Sequence, residues 1–182
     1  MSFLDRIAEC NRHDHTLYTP VIIKGLRLGQ VRKVLLPILA PFADESEVRI
    51  DDQQTLDAAA RALIETGLTP PACGERYRVG PRFDETWLTV ERAAVECLGI
   101  TAYGVHLTGF VQRPDGLHVW VPRRTADRPT YPGKLDSTVA GGQPVGLGVL
   151  DNLVKECAEE AGMPEALVRR AAPCGILRYR VD

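Results

Sequence analysis

The chain has 182 residues, 45% of them apolar, with 22 Lys and Arg against 24 Asp and Glu and a formal net charge of −2. That length fits one large domain or two small ones, and the near-balanced charge leaves no polybasic footprint, which argues against a nucleic-acid polymer as the main partner. No apolar run approaches the roughly 18 residues of a membrane-spanning helix, and the most apolar segment, Val34 to Phe42, is broken by Pro37 and Pro41.

Ser2 followed by Asp5 resembles a capping pair and predicts a short opening helix with Phe3, Leu4 and Ile7 on one stripe, ending near the HDH run at His13 to His15. The opening residues lack a basic stretch followed by an apolar one, so they do not read as a signal peptide. TPVIIKG and LRLGQVRK are β-branched, glycine-punctuated pieces that predict two strands. A proline-interrupted apolar helix or loop follows at Leu35 to Phe42, then a short strand at Glu47 to Ile50. TLDAAARALIETG predicts a helix with Thr55 as N-cap and Gly67 as its stop. Thr69 to Gly74 reads as a connector and RYRV as extended. WLTVERAAVECLGI reads as a helix with Leu88, Ala93, Val95 and Leu98 on one buried side.

From Thr101 the pattern alternates. AYGVHLTGFVQ and LHVWVPRR predict a long hairpin turned by RPDG, where Pro114 and Gly116 suit a tight turn. The glycine-rich VAGGQPVGLG then leads into an acidic helix, after which EALVRRAA predicts a short helix and GILRYRVD a strand. A domain boundary is expected near residue 100, separating an N-terminal α/β unit (1–100) from a second unit (101–182). The five cysteines, Cys10, Cys73, Cys97, Cys157 and Cys174, are scattered and never form CxxC, which predicts reduced, mostly buried thiols in a soluble cytoplasmic protein.

The chemistry concentrates in KECAEEAGM, Lys155 to Met163. Glu156, Glu159 and Glu160 are spaced i, i+3, i+4, which sets all three on one helical face, where each like-charged pair costs about 0.2–0.5 kcal/mol. A hard divalent cation takes oxygen ligands, and glycines upstream let the backbone approach closely. Alone, such an acidic string is usually a solvated helix face; the spacing from Gly141 through Leu147 to Lys155 and on to Gly162 is what changes the reading.

Gly141, Lys155, Glu156, Glu159, Glu160 and Gly162, with Cys157 and Met163 in apolar positions, resemble the Nudix box, G x5 E x7 R E U x E E x G U, where U is apolar. The resemblance implies an α/β/α sandwich with a mixed sheet behind a small accessory α/β domain, and metal-dependent hydrolysis of a small-molecule diphosphate. It implies Glu156, Glu159, Glu160 and the Gly141 backbone oxygen as ligands of Mg²⁺ or Mn²⁺. Glu156, Glu159 and Lys155 would be catalytic, with Lys155 orienting a neighbouring carboxylate. Leu147 stands where the family usually carries its first glutamate, which leaves the number of ions open, and Lys155 in place of arginine gives up bidentate geometry.

The flanking text, VPRRTADRPTYPGKLDSTVAGGQPVG, NLVKECAEEAGMP and ERAAVECLGITAYGVHLTGFV, is similar to the Nudix branch found beside or fused to thiamine pyrophosphokinases. That likeness implies cleavage of an organic diphosphate, such as damaged thiamine diphosphate, to monophosphate and phosphate. Two alternatives stand beside it: a catalytically inactive Nudix-fold binding module, and a hydrolase of nucleoside-diphosphate derivatives. A homo-oligomer is compatible with each. The stretch 101–182 is shorter than such a domain usually fills, so further strands, a second covering helix and much of the pocket are expected beyond it, with weak or absent turnover for this length of chain even if it binds metal.

Arg123, Arg124 and Lys134 lie on the approach to the glycine-rich segment, where they either grip phosphate oxygens or are solvated loop charges. Trp120, in an alternating strand, is expected in the core rather than as a stacking platform. His13 and His15 lack nearby partners and are not expected to bind metal. His106 and His118 are expected to be structural.

Overall fold

The computed structural model of the protein describes residues 2–10, 12–44, 46–127 and 131–180, without the side chains of Phe3 and Cys10. The chain is α+β, with several small sheets. It forms two compact units, Met1–Ala102 together with Gly175–Asp182, and Tyr103–Cys174.

The first unit opens with α1 (Phe3–Cys10). Ser2 N–H donates to Asp5 Oδ2 at 2.6 Å and Asp5 N–H to Ser2 Oγ at 3.2 Å, so the pair caps the helix reciprocally and satisfies two donors that a helix start leaves over. Leu4 and Ile7 nevertheless stay exposed, so the expected stripe is not buried there; Phe3 and Cys10 lie outside the described side chains. β1 (Tyr18–Ile23) and β2 (Leu26–Arg32) pair antiparallel around Lys24 and Gly25, both at positive φ (49° and 81°), as a two-residue hairpin loop requires. β3 (Val48–Ile50) joins β1 in parallel, giving the order β2-β1-β3. In between, Pro37 and Pro41 divide the apolar run into a 3₁₀ turn, a short α2 (Leu36–Leu39) and a second 3₁₀ turn, because proline cannot supply the N–H that a helix interior uses.

α3 (Gln53–Glu65) buries Leu56, Ala59, Ala60 and Leu63 at helical spacing, in one core with Val21, Ile23, Val31, Val48 and Ile50. Its N-cap is Asp52, whose Oδ1 accepts from Thr55 N–H at 2.8 Å. Thr55 thus sits inside the first turn as the donor and is not the cap that its hydroxyl suggested. β4 (Arg76–Val79) and β5 (Leu88–Glu91) pair antiparallel. Residues 88–91 are therefore strand where helical periodicity predicted helix, and only a 3₁₀ turn at Arg92–Ala94 and α4 (Val95–Leu98) remain helical. The cause is tertiary: the Gln53 side-chain amide donates to Thr89 O at 2.7 Å and accepts from Thr89 N–H at 3.0 Å, fixing extended backbone beside α3. Leu88, Val95 and Leu98 are buried, with Ala94 in place of Ala93.

The second unit holds β6 (Gly104–Leu107), β7 (Phe110–Arg113), β8 (Gly116–Val119), β9 (Val139–Gly142), α5 (Val149–Ala161) and α6 (Glu165–Val168). The long hairpin predicted here splits at Thr108–Gly109. β7 pairs with β8, while β6 pairs with β9, so part of the glycine-rich stretch is strand. Gly109 N–H donates to Thr138 Oγ1 at 2.9 Å beside the split. Both ladders are antiparallel; the one parallel pairing among the described strands is β1 with β3.

The core of this unit is small: Val139, Cys157 and Val168, with Leu107, Leu153, Val154 and Met163 packed against them. The β7–β8 ladder lies outside it. Trp120, expected in the core, is 61% exposed, as are Phe110, Leu117 and Val119 to similar degree; neither face of that ladder is covered among the described residues. Residues 171–180 carry no regular structure, so the strand predicted for GILRYRVD is not formed, and Val181 and Asp182 lie outside the described residues. Of the four described cysteines, all free, only Cys157 is buried; Cys97 is half-buried, and Cys73 and Cys174 are exposed. Among the described residues no helix is long and apolar enough to cross a membrane.

Candidate functional site

Helix α5 is built to lie on β9. Leu153, Val154 and Cys157 face the small core, and Gly162 ends the helix at φ 60°, its N–H returning to Ala158 O at 3.2 Å while Met163 N–H reaches Cys157 O at 3.1 Å. That left-handed cap is the conformation glycine adopts without penalty. Burial, with Glu160 and Glu156 adding to it, pushes the Cys157 thiol pKa up, so this cysteine is an apolar filler and not a nucleophile.

Two of the three glutamates touch the strand. Glu156 rests on Gly141: a Cβ there would stand within 3.0 Å of Glu156 Cγ, Cδ and Oε2, so only glycine leaves room for the carboxylate. Glu160 Oε2 accepts from Ala140 N–H at 3.1 Å. Lys155 Nζ lies 3.0 Å from Glu156 Oε1 and 3.1 Å from Glu159 Oε2, and these bonds hold its ammonium above the usual lysine range. The side chain of Glu156 is 13% exposed and that of Glu159 57%, so the site runs from a seated acid to a solvated one.

Gly141 does something other than the carbonyl donation that the resemblance implies. Ala140 N–H goes to Glu160 and Gly142 O accepts from Asn152 Nδ2 at 2.8 Å, so both neighbours turn their peptide groups away from β6. Along a strand these directions alternate, and Gly141, paired with Val105, directs its own groups into the β6 ladder. Its contribution is space for Glu156, and the carbonyl on the edge nearest the acids is that of Ala140.

Of the three candidate phosphate grips, Arg123 and Arg124 are engaged within their own loop. Arg124 Nη1 bonds Asp136 Oδ2 at 2.6 Å, Arg123 Nη1 donates to Gly133 O at 2.9 Å, and Lys134 is an exposed loop residue. Arg123 and Arg124 brace their own loop. The Arg124 bond holds the Asp136 carboxyl below the usual carboxylate range. Leu147 is half-buried and gives its carbonyl to Gln143 Nε2 at 2.7 Å. His106 Nδ1 lies 3.3 Å from Ser137 Oγ, on the segment leading into β9, and His118 Nε2 3.0 Å from the nearby Asp115 Oδ1. His13 packs on His15 and Tyr18 and lies 3.2 Å from Gln30 Nε2.

Sequence reasoning missed Gln143 and Asn152, which are 2% and 0% exposed and bonded to each other at 3.1 Å. The signal was present: Asn152 stands one turn before Glu156 on α5, beside the apolar Leu153, where a buried polar residue needs a partner.

Among the described residues no three His, Cys, Asp or Glu side chains stand close enough to make a preassembled metal cluster. The donor set is nevertheless that of a hard divalent ion: Glu156 and Glu159 already converge on one cation, the Lys155 ammonium, and Glu160 stands on the adjoining strand edge. The residues present fit Mg²⁺ or Mn²⁺ in kind.

No protein-family model matches the chain. It is 33% identical over 195 residues to "Nudix hydrolase 24, chloroplastic" of Arabidopsis thaliana, an alignment covering 97% of this chain and 53% of that protein. To "Nudix hydrolase 20, chloroplastic" of the same plant it is 33% identical over 202 residues, covering 97% and 54%. An uncharacterized protein of Saccharomyces cerevisiae is 38% identical over 96 residues, 52% of this chain and 28% of that protein. An acid-bearing helix seated on a glycine strand, together with likeness to these plant proteins along nearly its whole length, places the chain in a known group: it belongs to the Nudix superfamily. It spans about half the length of the curated relatives that it matches over its full extent.

Proposed function

We propose that this chain carries the catalytic helix of a metal-dependent Nudix-type hydrolase, which cuts a small organic diphosphate to its monophosphate and inorganic phosphate. The observation that supports it best is the seating of Glu156 on Gly141, with Glu159 sharing the same Lys155 ammonium. Glu156, Glu159 and Glu160 would hold Mg²⁺ or Mn²⁺, which when bound offsets the charge on diphosphate oxygens and acidifies water. Glu159, the more exposed of the pair on Lys155, would take the proton of the attacking water. Lys155 keeps Glu156 and Glu159 aligned. The water oxygen bonds to phosphorus, the bridging phosphorus–oxygen bond breaks, and phosphate leaves.

A thiamine-diphosphate-like compound, including oxidised forms, is the first substrate class of this proposal, on the resemblance to the branch beside thiamine pyrophosphokinases. Free cysteines among the described residues fit a reducing compartment; the proposal sets it in the cytoplasm, whereas the two plant relatives are named as chloroplastic. One observation favours a second reading, a binding module without turnover: Leu147 replaces the family's usual glutamate and is built into the loop by Gln143.

The test is phosphate release from thiamine diphosphate, its oxidised analogues, ADP-ribose and nucleoside triphosphates, with Mg²⁺ or Mn²⁺, by the native chain and by Glu159→Gln. Release from an organic diphosphate that falls about 100-fold or more in the variant is expected. Equal release by both proteins refutes the role of Glu159, and Mn²⁺ binding without any release selects the binding module.

A further inference from the structure

We infer that Asn152, acting with Gln143, is a positioning residue for the cation site, setting the register in which Glu156 meets Gly141; this rests on the hydrolase reading above. Asn152 lies one helical turn before Glu156 and is wholly buried. Its amide nitrogen donates to Gly142 O at 2.8 Å and to Gln143 Oε1 at 3.1 Å. Both partners are acceptors, so the amide has one workable orientation, since a flip would set oxygen against oxygen. Gln143 carries the constraint further: its Nε2 donates to Leu147 O at 2.7 Å and its backbone N–H to Tyr103 O at 2.9 Å. Two side-chain amides thus fix the end of β9, the far end of the connecting loop and the start of α5.

The spacing shows what that connection is for. Asn152, Glu156 and Glu160 follow one another at i, i+4, i+8 along one side of α5, and they meet Gly142, Gly141 and Ala140 in turn. Helix and strand are registered contact by contact, with the amide at one end and two carboxylates after it. A shift of one residue would take Glu156 off the niche that the missing side chain of Gly141 leaves open. Only the amide contact lies in the interior, so it can fix register without competing for a cation.

Asn152 also keeps a buried Oδ1 with no hydrogen-bond partner. For cohesion alone an apolar residue would serve better beside Leu153, Val154 and Cys157, because a buried acceptor left unpaired is costly. Buried polar groups retained at such a cost have register as their best-attested use.

The experiment titrates Mn²⁺ alone, by calorimetry, into the native chain, Gln143→Met and Gln143→Leu/Asn152→Leu, with Tm measured beside it. The double substitution removes the amide pair and its orphaned oxygen together. It is expected to hold Tm within a few degrees while weakening Mn²⁺ binding about ten-fold, the usual effect of losing a group that orients ligands. The milder Gln143→Met keeps side-chain length, so it remains informative if the double variant fails to fold, and it should weaken binding at least about three-fold. Native Mn²⁺ affinity in a folded double variant, or in Gln143→Met, would show the amides to be cement only and overturn the inference. Failure of the native chain to bind Mn²⁺ would instead refute the hydrolase reading itself.

Discussion

Gly141→Ala probes the seat of Glu156 directly. Gly141 is in β9 and has no positive φ, so alanine meets no backbone penalty; the obstacle is the end of the Glu156 side chain, inside 3.0 Å of the new methyl group. Overpacking costs about 1–3 kcal/mol, and because a side-chain end can swing away the low end applies, about 1 kcal/mol. Alanine loses less conformational freedom than glycine in a strand, which offsets about 0.5–1 kcal/mol. At about 4–8 °C of Tm per kcal/mol for a small domain, the melting temperature should move by no more than about 5 °C. Placement suffers far more. Glu156 leaves its niche and its 3.0 Å bond to Lys155, and Mn²⁺ affinity measured by calorimetry should fall about ten-fold, equivalent to about 1.4 kcal/mol. Unchanged Mn²⁺ affinity in a folded Gly141→Ala protein would refute the idea that this seat builds the site.

Three further outcomes are expected elsewhere. Gly29→Ala drives a methyl group to 2.5 Å from the Leu98 carbonyl, with Ile100 and Val21 at 3.3 Å; no flexible end can yield, so urea denaturation should show about 2–3 kcal/mol lost from the first unit. Asp136 has its pKa lowered by Arg124, so its contribution is present above the unfolded aspartate pKa and is lost as pH falls through the lower folded value. With both side chains partly exposed, solvent screening limits the pair to about 0.5–1 kcal/mol: Asp136→Asn should be less stable than native protein by that amount at pH 7 and equal to it in acid, as read by denaturation midpoints at both pH values. Trp87→Phe leaves Trp120 as the sole tryptophan, and its fluorescence should be red-shifted and readily quenched by acrylamide, because the ring is 61% exposed; a blue-shifted, protected emission would contradict the exposed β7–β8 ladder.

Local chemistry was legible in the sequence where one or two residues decide the outcome. The Ser2–Asp5 cap follows from two side chains three positions apart, although the same kind of reading gave the start of α3 to Thr55 where Asp52 holds it. The acidic face of α5 was legible for the same reason, since helical spacing alone lines up Glu156 and Glu160. Distant partners were not legible. Residues 88–91 become strand because Gln53, far back in the chain, holds Thr89 extended. β6 abandons its expected hairpin because β9 competes for it, and that competition reverses the role assigned to Gly141, since the ladder takes its peptide groups and leaves only its missing side chain to the site. Trp120 was misjudged because alternation in a strand predicts one covered face, and covering is a property of another layer.

The position of Lys155 between Glu156 and Glu159 has a consequence for how any ion reaches them. With an ammonium already seated at 3.0 and 3.1 Å, loading of the proposed site would be an exchange of one positive group for another. The displaced lysine would then swing toward solvent or toward the anionic ligand. Added electrolyte loosens the outgoing contact along with the incoming one, so the grip on a divalent ion should respond to ionic strength less steeply than bare, unshared acids would.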